Sequence, residues 1–202
     1  RTDKLLIPLE LMWSLELIDA ARELAALLAE LRVRLVLAES CTSGLAAAAL
    51  GTVPGVSNWF CGSAVVYRTG TKIAWLDVDP RRFPSPESDS VGPQTSRSLA
   101  SALLDRTPEA GLAAAITGHL GPNAPAELDG CLFTTVLSRG AAQQNSPANE
   151  THGTFELSVS HNSVTTPLRM VRQEEAAVFL LRQVALHLRK GSRSEPPAGY
   201  DR

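Results

Sequence analysis

Leu35, Val36, Leu37 and Ala38 form an unbroken apolar run that stops at Glu39-Ser40-Cys41-Thr42-Ser43-Gly44 and gives way to Leu-Ala-Ala-Ala-Ala-Leu. Four apolar residues without polar alternation predict a short strand buried on both faces of its sheet. The Ala- and Leu-rich stretch from Leu45 to Leu50 predicts a helix. A strand covered on both sides needs helices above and below, so this segment points to a layered α/β domain. The turn between strand and helix sets side chains at the carboxyl edge of the sheet and offers the free N–H groups of a helix start. Two readings stand open at this point. Ser and Thr are common helix caps, and the same edge is where nucleophiles and anion sites are built.

Composition narrows the classes. A net charge of −2 and 5% aromatic residues give neither the basic surface nor the stacking platforms of a nucleic-acid binder. No apolar segment is long enough and free enough of charge to span a bilayer. The amino-terminal stretch carries Glu10, Glu16 and Asp19 among its apolar residues, which fits an amphipathic helix better than a signal peptide. Three cysteines (Cys41, Cys61 and Cys131) show no CxxC spacing and read as reduced thiols, so the expected location is the cytoplasm. At 202 residues with 44% hydrophobic content, one domain with a substantial core is expected.

Helical periodicity runs from Ile18 to Leu31, through Leu24, Leu27 and Leu28. Ser63 to Tyr67 reads as a second strand and Thr71 to Leu76 as a short helix. Pro80 to Pro93 reads as a loop, and Thr95 to Leu104 as a helix with Ser and Ala on one side. Gly111 to Ile116 is a third strand that stops, like the first, at a turn (Thr117-Gly118-His119-Leu120-Gly121-Pro122). Cys131 to Leu137 is a fourth strand, Gly140 to Gly153 a hairpin connection, and Thr154 to Ser160 an edge strand. A terminal helix covers Leu168 to Arg189. The expected fold is a single layered α/β domain with a mixed sheet, spanning 17–190, with an extension at 1–16 and a disordered tail at 191–202.

If the first and third strands are neighbours, their two turns line one crevice. Lys72, five residues beyond Tyr67, is the residue type that takes a proton from serine in Ser–Lys hydrolases; a surface lysine beside a half-buried tyrosine is the plainer reading. Arg169 and Arg172 lie one turn apart, as a phosphate clamp or a solvated helical face would. His119, His152, His161 and His187 are scattered with no metal-ligand spacing, and each reads as a surface or loop residue. Asp77 and Asp79 read as a solvated helix end, so no metal is assigned.

Ala-Glu-Ser-Cys-Thr-Ser-Gly, Val-Pro-Gly-Val-Ser-Asn-Trp-Phe, Val-Val-Tyr followed by Lys72, and Thr-Gly-His-Leu-Gly-Pro occur in one order across about Ile18 to Leu188. Together they resemble the C-terminal domain of the competence/damage-inducible protein CinA, the nicotinamide-nucleotide amidase family. The resemblance implies a three-layer α/β/α sandwich and hydrolysis of nicotinamide mononucleotide to nicotinate mononucleotide and ammonia, without metal or cofactor, in a protein that can associate as a homo-oligomer. It implies Ser40 as nucleophile, Lys72 as general base and Tyr67 as the group assisting it. Substrate-binding positions are then Glu39, Cys41, Thr42, Ser43 and Gly44 in the first turn, Thr117, Gly118 and Gly121 in the second, and Arg169 and Arg172. Within the first turn, Thr42 and Ser43 are expected to cap the helix and present its N–H groups to the substrate.

The chain departs from the family pattern at several points. Ser43 stands where the family usually has glycine, and Arg68-Thr69-Gly70-Thr71 replaces a segment with Asn and Glu. Gly121 to Gly130 replaces a glycine-rich loop, and Arg169 fits the family's arginine only with a one-residue shift. These changes fall on substrate-positioning groups. Two other readings therefore stand beside the amidase: a silent nucleotide- or protein-binding module, and an amidohydrolase for another small carboxamide.

Overall fold

A computed structural model describes residues 13–82, 91–139, 150–157 and 167–194. Its elements in chain order are α1 (Leu15–Leu31), β1 (Leu35–Glu39), α2 (Leu45–Gly51), β2 (Phe60–Val65), α3 (Thr69–Leu76), α4 (Pro93–Arg106), β3 (Leu112–Gly118), β4 (Cys131–Ser138), β5 (Glu150–Glu156) and α5 (Leu168–Ser194). The strands form one mixed sheet in the order β2-β1-β3-β4-β5. β1 pairs parallel with β2 and β3, while β3–β4 and β4–β5 are antiparallel.

The unbroken apolar run of β1 is explained by two cores. Leu35 and Leu37 face the layer of α1, α2 and α5, whereas Val36 and Ala38 face the layer of α3 and α4. β3 divides in the same way, with Leu112, Ala114 and Ile116 on the first side and Ala113 and Ala115 on the second. Period-two alternation therefore persists, with both faces requiring apolar side chains. The three-layer α/β/α sandwich expected from the sequence is what the chain forms. Among the described residues, no helix is long and apolar enough to cross a membrane.

Several boundaries differ from the sequence reading, each for a local reason. β2 runs from Phe60 to Val65 and stops short of Tyr67, because its ladder partner β1 ends at Glu39, paired with Val65. One more bond, from Val66 N–H to the Glu39 carbonyl, closes the ladder. α4 opens at Pro93, whose missing N–H costs nothing in a first turn. β5 occupies 150–156, where it pairs with β4 from Leu137 back to Cys131; the connection at 140–149 and the end of the expected strand at 158–160 lie outside the described residues. α1 begins at Leu15, behind a Ser14 cap that accepts from Leu17 N–H, inside the span read as an extension. α5 continues to Ser194, past the expected end of the domain at 190, and residues 195–202 lie outside the described part.

Glu39, at the last position of β1, is fully buried. One carboxylate oxygen accepts from Thr42 Oγ1 at 2.7 Å and from the N–H groups of Gly44 and Ala46, each at 3.1 Å. The other accepts from Ala47 N–H and Ser63 Oγ, each at 3.0 Å. The orphan donors at the start of α2 are thus satisfied by a charge from the preceding strand, favoured also by the helix dipole. Thr42 and Ser43 do not cap this helix: Thr42 donates to Glu39, and Ser43 and Gly44 bend the chain at φ 53° and 93°. The expectation that they cap it fails because a carboxylate reaches those N–H groups first.

His187, read from sequence as a surface residue, is buried on α5. Its Nε2 lies 2.8 Å from Ser138 Oγ and its Nδ1 2.8 Å from Thr151 Oγ1, so the ring ties the helix to β4 and β5. Burial, and secondarily the charge of Lys190, lowers its pKa from the ordinary 6.5.

Two outcomes follow. Glu39→Ala leaves five buried or half-buried donors without an acceptor and should lower unfolding stability by about 3 kcal/mol, read from denaturant titration. Because the folded-state pKa of His187 is depressed, the folded state binds fewer protons. Its contribution to stability is present above the ordinary value and is lost as pH falls through the folded pKa. The denaturation midpoint should fall between about pH 7.5 and about pH 5, and less steeply in His187→Gln.

Candidate active site

The carboxyl edges of β1 and β3, the start of α3 and the start of α5 meet around a cavity of about 480 Å³. Ser40 enters it directly after β1, with its N–H bonded to the Ile116 carbonyl of the neighbouring strand at 3.2 Å. Ser43 N–H closes the turn onto the Ser40 carbonyl at 3.2 Å. The side chain of Ser40 is therefore carried on a backbone held from both sides.

Lys72 reaches the same point from α3. Arg68 begins that helix, with Thr71 Oγ1 donating to the Arg68 carbonyl and accepting from its N–H. Lys72 falls in the first turn and is 1% exposed. Its Nζ donates to Ser40 Oγ at 3.2 Å and to the Tyr67 carbonyl at 3.0 Å. The Tyr67 carbonyl precedes the helix and has no role in its ladder, so it is available to orient the amine one turn further on. Tyr67 thus serves Lys72 through its main chain, while its half-exposed phenol oxygen accepts from Arg169.

The other anticipated positions divide into two groups. Cys41, Gly118, Gly121 and Arg169 line the cavity with Ser40, Tyr67 and Lys72. Glu39, Thr42, Ser43, Gly44, Thr117 and Arg172 do not form its wall. Glu39 is committed to α2, as described above. Thr117 is fully buried, and its Oγ1 accepts from Gly92 N–H at 3.3 Å, which joins β3 to the start of α4. Arg172 lies behind the loop between β3 and β4, paired with Asp129 at 2.7 Å. The two arginines thus meet the same loop, but the arginine one turn deeper in the helix is cut off from the cavity.

Cys41 adjoins the serine but is a poor rival nucleophile. Burial, the dominant cause, and the Glu39 charge push its thiol up to about 12 despite main-chain N–H groups and Lys72 acting the other way. A thiol at that pKa is protonated near neutrality, and the thiolate is the reactive form.

The sequence reading did not single out Gln173 or Asp129. Gln173 Nε2 donates to the carbonyls of Cys41 and Thr42, at 3.3 and 3.1 Å, and so fastens the Ser40 turn to α5. Its position four residues after Arg169 puts it on the same helical face, the one signal that could have marked it. Val91, Leu120, Pro122, Asn123 and Ala124 also line the wall, with His119. Among the described residues, Lys72 and Arg169 are the basic side chains of that wall.

The sequence model of the CinA C-terminal domain family matches residues 18–174. A CinA-like protein of Desulfotalea psychrophila is 39% identical over 88 residues, covering 44% of this chain and 21% of its own length. A CinA-like protein of Myxococcus xanthus is 33% identical over 129 residues, covering 61% and 30% respectively. The chain spans about a quarter of the length of the curated relatives it matches. Among solved structures, the competence damage-inducible protein A of Klebsiella pneumoniae superposes with a TM-score of 0.72 at 19% identity, over 89% of this chain and 99% of that one. That likeness shows the shared fold, and the family match covers both the Ser40 turn and the Lys72 helix. The chain belongs to the CinA C-terminal domain family.

Proposed function

We propose that this domain hydrolyses the carboxamide of nicotinamide mononucleotide to nicotinate mononucleotide and ammonia. The observation that carries the reading is the buried contact of 3.2 Å between Lys72 Nζ and Ser40 Oγ at the floor of a cavity. A lysine held out of water serves as a base in its uncharged form, and in that form the Ser40 O–H donates to the nitrogen lone pair. Serine oxygen then attacks the carboxamide carbon as its proton passes to Lys72. The resulting ammonium returns the proton to the departing nitrogen, which leaves as ammonia. Water attacks the acyl-enzyme ester, gives one proton back through Lys72 to Ser40, and releases the carboxylic acid, which ionises to the carboxylate by losing the other proton to solvent.

The first turn of α2 is occupied by Glu39, so the charge on the tetrahedral oxygen falls to donors at the cavity itself. Cys41 N–H, next to the nucleophile, is the candidate among main-chain groups. Arg169 suits a substrate bearing a phosphate, because it keeps further N–H donors beyond those it gives to Gly121 and Tyr67. A volume of about 480 Å³ is in the ordinary range for a small-molecule site.

The test is ammonia release from the mononucleotide by purified protein. Ser40→Ala and Lys72→Met should each reduce turnover by roughly a thousandfold or more, while Cys41→Ala retains most of it. Equal turnover in wild type and Ser40→Ala would remove the reading. Binding of the mononucleotide without turnover in any form would favour the silent module, and turnover only of other carboxamides the broader amidohydrolase. Tyr67→Phe keeps the carbonyl that orients Lys72 and loses the phenol oxygen next to Arg169. It should raise KM by about tenfold with kcat within a few-fold of wild type.

A further inference from the structure

The loop between β3 and β4 is tied at its base and gripped just beyond it, at Gly121 and Asp129. Gly130 N–H donates to the His119 carbonyl at 2.8 Å and His119 N–H to the Cys131 carbonyl at 3.0 Å. Beyond that base, residues 120–124 form one wall of the cavity. α5 approaches this segment with two arginines. Arg169 donates to the Gly121 carbonyl from the cavity side. Arg172 comes from behind, 2% exposed, with Nη1 on Asp129 Oδ1 at 2.7 Å.

Gly121 lies between them at φ 64°. A Cβ there would stand 2.7 Å from Asp129 Oδ1 and 2.8 Å from Arg172 Nη1, closer than real Cβ atoms come. At Gly130 a Cβ would stand 3.7 Å from Arg172 Nη2. The guanidinium therefore rests against two glycines, one of them with the space of its missing side chain already filled. Arg172 Nε is sealed from solvent and has no hydrogen-bond partner among the described residues. A buried arginine with a single carboxylate and an unsatisfied donor is a poor means of gaining stability. Its placement answers instead to the geometry of the wall.

We propose that Arg172, with Asp129, is a positioning residue of the cavity: it fixes the wall 120–124 by closing on Gly121 from behind. It acts on the bound molecule through that wall and does not touch it. Arg169 and Arg172 then form a clasp from one helix face, the outer arginine reaching the cavity and the inner one setting the loop that the outer one holds.

The kinetic half of the test rests on the amidase reading; the exchange half does not. In Arg172→Lys the point charge remains while the planar fork is lost. KM for nicotinamide mononucleotide should rise about tenfold with kcat within about twofold of wild type. Asp129→Asn, which keeps an acceptor oxygen, should shift KM in the same direction by a smaller factor. By hydrogen exchange, the bonded amides of the loop base, His119 and Gly130, should lose protection in Arg172→Lys while those of β1 and α1 keep theirs. An unchanged KM in folded variants overturns the proposal, as does exchange that accelerates evenly across the domain. If wild type releases no ammonia, the amidase reading falls and the exchange comparison alone decides the clasp.

Discussion

The buried carboxylate of Glu39 is the interaction on which the rest of the site depends. It ends β1, holds Ser63 of β2, fixes Thr42 in the turn, and satisfies three N–H groups at the start of α2. An anion at a helix start is favoured by the dipole and by the orphan donors, but here that position is filled from within the chain. Ser40 follows Glu39 directly, so the same bonds that terminate the strand determine where the serine stands. Removing this carboxylate would disturb stability and chemistry together.

Around that anchor the site is a corner where four elements meet. β1 brings Ser40, α3 brings Lys72, β3 and its loop bring Gly118 to Ala124, and α5 brings Arg169 and Gln173. Each contact that matters joins residues far apart in sequence, as in the pair Ser40–Lys72 and the bond from Gln173 to the Cys41 turn. α5 serves twice, packing along α1 through its apolar face and meeting the site through its first turns. The apolar length of that helix thus sets how firmly its arginines are placed.

Much of the fold was legible because its period signals are strong. The runs at 35–38 and 112–116 have no polar interruption, which only a strand covered on both sides tolerates. The boundaries that moved were set by partners. β2 ends at Val65 because β1 ends at Glu39, a limit invisible in the β-rich Ser63 to Tyr67. His187 was misplaced because a histidine among charged residues near a helix end looks solvated, and its hydroxyl partners come from two strands. Thr42 and Ser43 were read as caps because their types favour it, whereas the carboxylate that displaced them precedes the turn.

By itself the sequence determined the layers, the two turns at the sheet edge, and the residue types able to perform serine–lysine chemistry. These follow from local rules: apolar period, helix-forming composition, and reactive groups at the ends of buried strands. Only the tertiary structure decided which of those groups share a cavity. It brought Lys72 to Ser40, turned Tyr67 so that its carbonyl meets the lysine and its phenol meets Arg169, and put Arg172 behind the wall rather than in it. The physical reason is that strand order, helix placement and the reach of a long side chain depend on packing between distant segments, which no local pattern encodes.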